Sequence, residues 1–224
     1  MNEKIRLKTK SLRLRPMTDA EMEALIERTQ DAHDRAAYGQ MLAASHAHPD
    51  AHAWYACWQM TQKDGTFVGD ACFKGAPENA ETEIGYGVLA DYRGKGYATE
   101  AVGALTEWAF SASEALYYVT AETDPDNAAS QRVLEKNGFV PTGEQGEEGP
   151  RYEKERPETS WLAIYLSIGL CLGVAIGTSL GNLALGIPIG MGLGLAVGTS
   201  LDKKAKDALT KVREERARRK TPEA

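Results

Sequence analysis

Leu12 and Leu14 alternate with Arg13 and Arg15 ahead of Pro16, the period-two pattern of a strand that proline stops. Thr18 or Asp19 then offers a helix cap, Glu21 and Glu23 suit the positive end of a helix dipole, and Met22, Leu25 and Ile26 share one face. Residues 31–51 are rich in Ala and His and weakly periodic, which predicts a helix followed by a loop. Residues 53–60 and 66–73 are aromatic-rich and joined by Lys63-Asp64-Gly65, so two antiparallel strands with an Asp-Gly turn are expected. Alternation returns over 81–89, with Ile84, Tyr86 and Val88 on one face and Glu81, Glu83, Gly85 and Gly87 on the other. Past a glycine-rich turn, Ala101, Val102, Leu105, Trp108 and Ala109 recur at helical spacing within 99–112. A strand is expected at 115–121, a helix at 127–137 closed by Gly138, and a further strand from Phe139 and Val140. Helices alternating with strands around one sheet give an α/β (α+β) class with a mixed sheet.

The pattern then changes. No charged residue lies between Glu158 and Asp202, which is long enough for two membrane spans of roughly 20 residues each. The two halves repeat one another: the run from Ile168 to Leu180 reappears from Ile189 to Leu201, so two equivalent helices are expected over 161–201, joined near 181–185. Gly169, Gly173, Gly177 and Gly181 fall on one face of the first, and Gly186, Gly190, Gly194 and Gly198 on one face of the second. In water each such glycine costs a helix up to about 1 kcal/mol relative to alanine, so apolar surroundings or a tightly packed partner are required. Two readings stay open: membrane insertion, and a soluble hairpin that folds by homo-oligomerising through its glycines. For insertion, Trp161 and Tyr165 mark one interface, and Lys154, Arg156, Lys203, Lys204 and Lys206 place both outer ends on the cytoplasmic side. The expected organisation is a domain over 1–156, a linker at 157–160, the hairpin at 161–201 and a basic helical tail at 202–224 suited to anionic lipid.

Charge follows the same division. Residues 1–158 carry 17 basic and 27 acidic side chains, and residues 159–224 carry 9 and 5. An acidic first part disfavours nucleic acid as a partner and suits a cationic or amine-bearing one. Cys57, Cys72 and Cys171 are odd in number and lack metal-like spacing, which reads as free thiols in a reducing, intracellular compartment. The N-terminal segment has charge but no apolar core, so no secretory signal is expected. His46, His48 and His52 fit no zinc-ligand spacing, so no metal is expected and the three are read as loop-exposed.

The chemistry concentrates in Asp91-Tyr92-Arg93-Gly94-Lys95-Gly96-Tyr97-Ala98-Thr99, between a strand and a helix. Gly94 and Gly96 permit close approach, the helix N-terminus adds its positive end, and Arg93 and Lys95 add charge, an arrangement for a pyrophosphate. The segment from Arg93 to Ala98 resembles the coenzyme A loop of the GNAT acetyltransferases, Arg/Gln-x-x-Gly-x-Gly/Ala. Glu83-Ile84-Gly85-Tyr86-Gly87-Val88 resembles the strand before that loop, and Asp126 to Phe139 resembles the family's second cofactor helix. The opening Leu12-Arg13-Leu14-Arg15-Pro16 resembles the first strand of the branch that acetylates ribosomal protein N-termini.

The resemblance implies a GNAT-type, mostly antiparallel sheet flanked by helices, and transfer of an acetyl group from acetyl-CoA to a primary amine by direct attack. It implies that Val88 and Leu89 pair with the pantetheine arm, that Arg93, Gly94, Lys95, Gly96, Tyr97, Ala98 and Thr99 hold the pyrophosphate, and that Asn127 and Ser130 meet the thiol end. Glu83 is the expected base with Glu81 beside it, and an amide near Val88 or Leu89 is the expected oxyanion donor. Ser130 and Tyr117 are the candidate general acids, and acceptor contacts are expected from residues 31–51. One competing function is a catalytically silent, acetyl-CoA-binding or interaction domain that positions the hairpin, and another is a small membrane or pore-forming protein with the soluble domain as cargo. The enzyme and its silent counterpart both predict a cytoplasmic protein, anchored at the inner face of the cell membrane if the hairpin inserts.

Overall fold

The computed structural model describes residues 5–220. The start of the segment read as lacking a leader, and the last four residues of the expected tail, lie outside the described residues. The chain divides into two compact units, one ending at Arg156 and the other beginning at Pro157.

The first unit is built on one sheet of eight strands: β1 (Leu7–Lys8), β2 (Leu12–Pro16), β3 (Trp58–Gln62), β4 (Phe67–Phe73), β5 (Glu81–Val88), β6 (Tyr118–Glu122), β7 (Val140–Gln145) and β8 (Pro150–Glu155). Their order across the sheet is β1-β2-β3-β4-β5-β6-β8-β7. Every neighbouring pair is antiparallel except β5 and β6. β1 and β8 are additions to the expected elements, both too short or too polar to show an apolar period.

Alternation decides which side chains reach the core. Leu12 and Leu14 of β2, Trp58 and Met60 of β3, Phe73 of β4 and Ile84 of β5 are buried in one cluster. They meet Val102, Leu105 and Ala109 of helix α4 (Tyr97–Ala112). Burying each of the large side chains contributes roughly 1.5–3 kcal/mol. On the other side of the sheet, α1 (Asp19–Arg28) and α2 (Ala32–Ala47) enclose a smaller cluster of Met17, Met22, Leu25, Ala56 and Cys57. α1 begins with a capping box formed by Thr18 and Glu21. Arg15 donates to both oxygens of Glu21, at 2.8 and 2.5 Å, and this guanidinium contact holds the Glu21 carboxyl down at about 2.

Three local expectations change. Residues 53–60 are not one strand: α3 (His52–Tyr55) precedes β3, because Ala56 closes a helical turn onto the His52 carbonyl and the Trp58 indole donates to the Ala53 carbonyl at 2.8 Å. Aromatic density here serves core packing and does not signal strand. Residues 31–51 are more helical than expected, with α2 followed by a short 3-10 turn at Pro49–Ala51. The histidines are not all in an exposed loop. His46 lies in α2, His46 and His52 both reach the Asp19 carboxylate at 3.0 and 3.5 Å, and His48 stacks on Tyr55.

The second unit is a helical hairpin of α6 (Trp161–Ser179) and α7 (Leu183–Lys220). Gly169, Gly173 and Gly177 of α6 are buried against Gly186, Gly190, Gly194 and Gly198 of α7 or the backbone beside them. A Cβ on Gly173 would stand 2.7 Å from the Gly186 carbonyl oxygen, and one on Gly190 would stand 2.6 Å from the Gly173 Cα. The helices therefore touch through backbone, which only glycine permits. Gly181 is not part of that face. It has φ +68° in the turn at 180–182, and Asn182 caps α7 by accepting from the Leu185 amide at 3.2 Å. At the open end Asp202 accepts from the Trp161 and Leu162 amides at 2.7 and 3.3 Å, closing the hairpin on the α6 N-terminus. The basic tail is continuous with α7 through Lys220 and is not a separate helix.

Candidate active site

β5 and β6 pair for only three positions, Glu81↔Tyr118, Thr82↔Val119 and Glu83↔Thr120. β5 then continues to Val88 with only β4 as neighbour, opening a gap between two parallel strands. The ladder to β4 uses the Leu89 amide, which donates to the Val68 carbonyl at 2.9 Å, and the Glu83 carbonyl, which accepts from Lys74 at 2.9 Å. Backbone groups of an antiparallel strand alternate in direction, so those of Tyr86 and Val88 face the gap. This corrects the expectation for Leu89, whose N–H is engaged by β4 and does not serve a ligand. The Val88 carbonyl accepts from the Arg93 Nε at 3.0 Å, so Val88 offers its N–H.

The gap opens into a cleft of about 520 Å³, lined among others by Tyr86, Val88, Arg93, Gly94 and the first residues of α4. Gly94 and Gly96 hold φ +75° and +82°, and a Cβ built on either meets no atom within 4 Å. Gly96 is the α4 N-cap and no side chain caps that end, leaving the Tyr97, Ala98 and Thr99 amides for an anion. Gln62 steadies the loop by donating to the Tyr97 hydroxyl at 2.9 Å. Lys95 does not line the cleft. Its ammonium sits over the Tyr92 ring at 4.9 Å and donates to the Asp91 carbonyl at 3.2 Å.

The opposite wall is α5 (Ala128–Lys136). Asn127 is its N-cap, accepting from the Ser130 amide at 3.0 Å, so its side-chain oxygen is structural. The Ser130 hydroxyl lies 2.8 Å from the Tyr86 hydroxyl. Burial raises the Tyr86 phenol above its ordinary range. Tyr117 lines neither pocket of the site and stands beside the Arg156 guanidinium, so Tyr86 replaces it as the phenol near Ser130. Sequence reasoning passed over Tyr86 because it reads as a strand core residue. It also passed over Arg132 and Lys136, which lie one helical turn apart on α5 and line the cleft.

Glu83 lines a second pocket, of about 230 Å³, with Lys74, Glu78, Glu81, Thr120 and Arg151. Lys74 pairs with Glu83 and, at 3.0 Å, with Glu148 of the β7–β8 loop. Arg151 pairs with Glu81 at 3.2 Å and Glu122 at 3.4 Å. Glu122 also accepts from the Glu148 amide at 3.1 Å, and its carboxylate packs where a Cβ on Gly146 would stand. Burial raises the Glu83 carboxyl, with Lys74 opposing. On the same sheet face Asp70 accepts from the Tyr38 hydroxyl at 3.2 Å, and burial pushes its carboxyl up to about 6. Tyr38 is thus an α2 residue that reaches this face, while His46 and His52 pair with Asp19. Gly85 and Gly87 leave the floor between these groups without side chains. Glu83 and Tyr86, three residues apart on β5, therefore face different pockets.

A splayed parallel pair followed by a glycine turn and an uncapped helix is the frame of an acyl-coenzyme A transferase. The GNAT acetyltransferase domain model matches residues 11–140, more than half of the chain, and the chain belongs to that family. A glycine zipper membrane protein model matches residues 155–204. The uncharacterized N-acetyltransferase YjdG of Bacillus subtilis is 41% identical over 85 residues, 37% of this chain and 50% of that protein. The match thus spans half the length of this curated relative. A putative ribosomal-protein-serine acetyltransferase from Vibrio cholerae shares the fold with TM-score 0.52 and 21% identity, covering 70% of this chain and all of that one. The aminoglycoside acetyltransferase AAC(6')-Ib, solved in complex with coenzyme A, does so with TM-score 0.50 and 23% identity over 65% of this chain and 95% of that one.

Proposed function

We propose that the chain transfers the acetyl group of acetyl-CoA to a primary amine by direct attack. The observation that carries this reading is the unpaired Val88 amide beside an uncapped α4 N-terminus, within one cleft with Gly94 and Gly96. The open left-handed glycines and the lone amides fit a pyrophosphate followed by an extended amide-bearing arm. When bound, acetyl-CoA supplies a thioester carbonyl. The Val88 N–H donates to the oxyanion that forms there. Glu83 takes the amine proton, its carboxyl raised above the ordinary carboxylate range by burial. The Tyr86–Ser130 hydroxyl pair returns a proton to the departing sulfur. The carboxylates of Glu81, Glu83 and Glu148 favour a cationic acceptor.

The hairpin serves as a membrane anchor with the enzyme on the cytoplasmic side. Gly169, Gly173, Gly177, Gly186, Gly190, Gly194 and Gly198 are consumed inside the hairpin, and its outer surface exposes Leu172, Leu193, Leu195 and Ile168. α6 and the first half of α7 are each long and apolar enough to cross a bilayer. Glu83→Gln tests the catalytic reading: coenzyme A release across a panel of amines should fall about a hundredfold while acetyl-CoA affinity stays within twofold. Wild-type turnover at all pH values would remove Glu83 as base.

A further inference from the structure

Among the described residues Lys74 is the cation in salt-bridge contact with Glu83, and its place is fixed by the sheet. The Lys74 amide donates to the Glu83 carbonyl at 2.9 Å, so the two residues stand opposite one another with side chains on one face. Its ammonium bridges Glu83 and Glu148, joining the candidate base to the β7–β8 loop. The Glu83 side chain is 16% exposed and that of Lys74 42%, so the carboxylate is the more sheltered partner of the pair. Glu81, Glu122, Glu148 and Glu78 add negative charge, and Glu153 lies on the same face of β8. Arg151, the other cation, is shared between Glu81 and Glu122.

We propose that Lys74 is a positioning residue for acetyl transfer: its ammonium keeps the Glu83 carboxylate ionised until a cationic acceptor takes over that contact. This rests on the reading of Glu83 as base. Without Lys74 a sheltered carboxylate ringed by others would hold its proton to higher pH and be unable to accept one from the amine. Burial and the Glu122 charge push Glu83 in that direction, with Lys74, and to a smaller extent Arg151, opposing.

The test follows the Glu83 carboxyl by carbon NMR in the full chain, assigned by its loss in Glu83→Gln, beside pH profiles of kcat/KM. In Lys74→Met the Glu83 midpoint should move to higher pH. The acid side of the profile should fall about tenfold while the alkaline plateau changes less than about twofold. Lys74→Arg should restore both. Should Lys74→Met not fold, Glu148→Gln leaves the ammonium to Glu83 alone and should move the midpoint to lower pH. An unchanged midpoint in a folded Lys74→Met or Glu148→Gln chain overturns the proposal. A shifted midpoint together with normal turnover of Glu83→Gln supports Lys74 as the partner of Glu83 and overturns the base reading instead.

Discussion

Glycine does opposite work in the two units. In the enzyme unit Gly94 and Gly96 are exposed, take left-handed φ and leave open space above them. In the hairpin Gly173, Gly186, Gly190 and Gly194 are buried, helical and in backbone contact. The apolar side chains invert as well: Leu12 and Leu14 are 1% exposed, while Leu172 and Leu193 are 54% and 58% exposed. The first unit hides its large side chains and offers bare backbone to a ligand. The second hides bare backbone and offers large side chains outward, an arrangement that is favourable where the surroundings are hydrocarbon.

The sharpest way to break this contrast is to put bulk between the hairpin helices. Gly173→Leu with Gly194→Leu should separate α6 from α7, since each new side chain would enter space held by the partner backbone. Cysteines placed across the helices should then no longer cross-link in the full chain, while acetyl-CoA binding by the other unit persists. Crosslinking at wild-type yield would show that the glycine faces do not hold the hairpin.

The converse change fills the cleft. Gly96→Val forces a β-branched residue into φ +82° and places a side chain where the anion would lie, so the Kd for acetyl-CoA should rise at least about tenfold, roughly 1.4 kcal/mol. Calorimetry on the folded variant decides it.

A change that should leave the chemistry untouched concerns the sheet face beside the Glu83 pocket. Asp70 has its folded value raised to about 6 by burial, above an unfolded value of about 3.9. Its contribution to stability is complete below the unfolded value and is lost as pH rises through the folded one. Asp70→Asn should therefore flatten the fall in stability between about pH 4 and pH 6, by about 2 kcal/mol. Urea unfolding followed by fluorescence of the core tryptophans Trp54 and Trp58 measures it, and parallel pH profiles in both proteins would discount Asp70.

Much of the cleft between β5 and α5 was legible because its parts are contiguous. The run from Arg93 to Thr99 and the cap at Asn127 are local signals, and glycine in a strand-to-helix turn has few other uses. What was misread depended on distant partners. The Leu89 amide looked available until β4 supplied the Val68 carbonyl, and Tyr86 looked like core until α5 brought Ser130 to its hydroxyl. Ala53 and Trp54 read as strand because core aromatics and strand aromatics are alike in sequence, and only the turn closing on His52 separates them.

The sequence by itself determined the elements whose physics is local: the alternating strands, the amphipathic α4, the glycine loop, and a charge-free repeat with glycine on one face of each helix. These follow from period, cap and turn chemistry, which act within a few residues. Tertiary structure alone decided where β5 and β6 part, that Lys74 pairs with both Glu83 and Glu148, and that Gly181 turns the chain instead of joining the zipper face. Those outcomes depend on which backbone groups and charges from remote segments arrive at the same place, and no local pattern encodes that meeting.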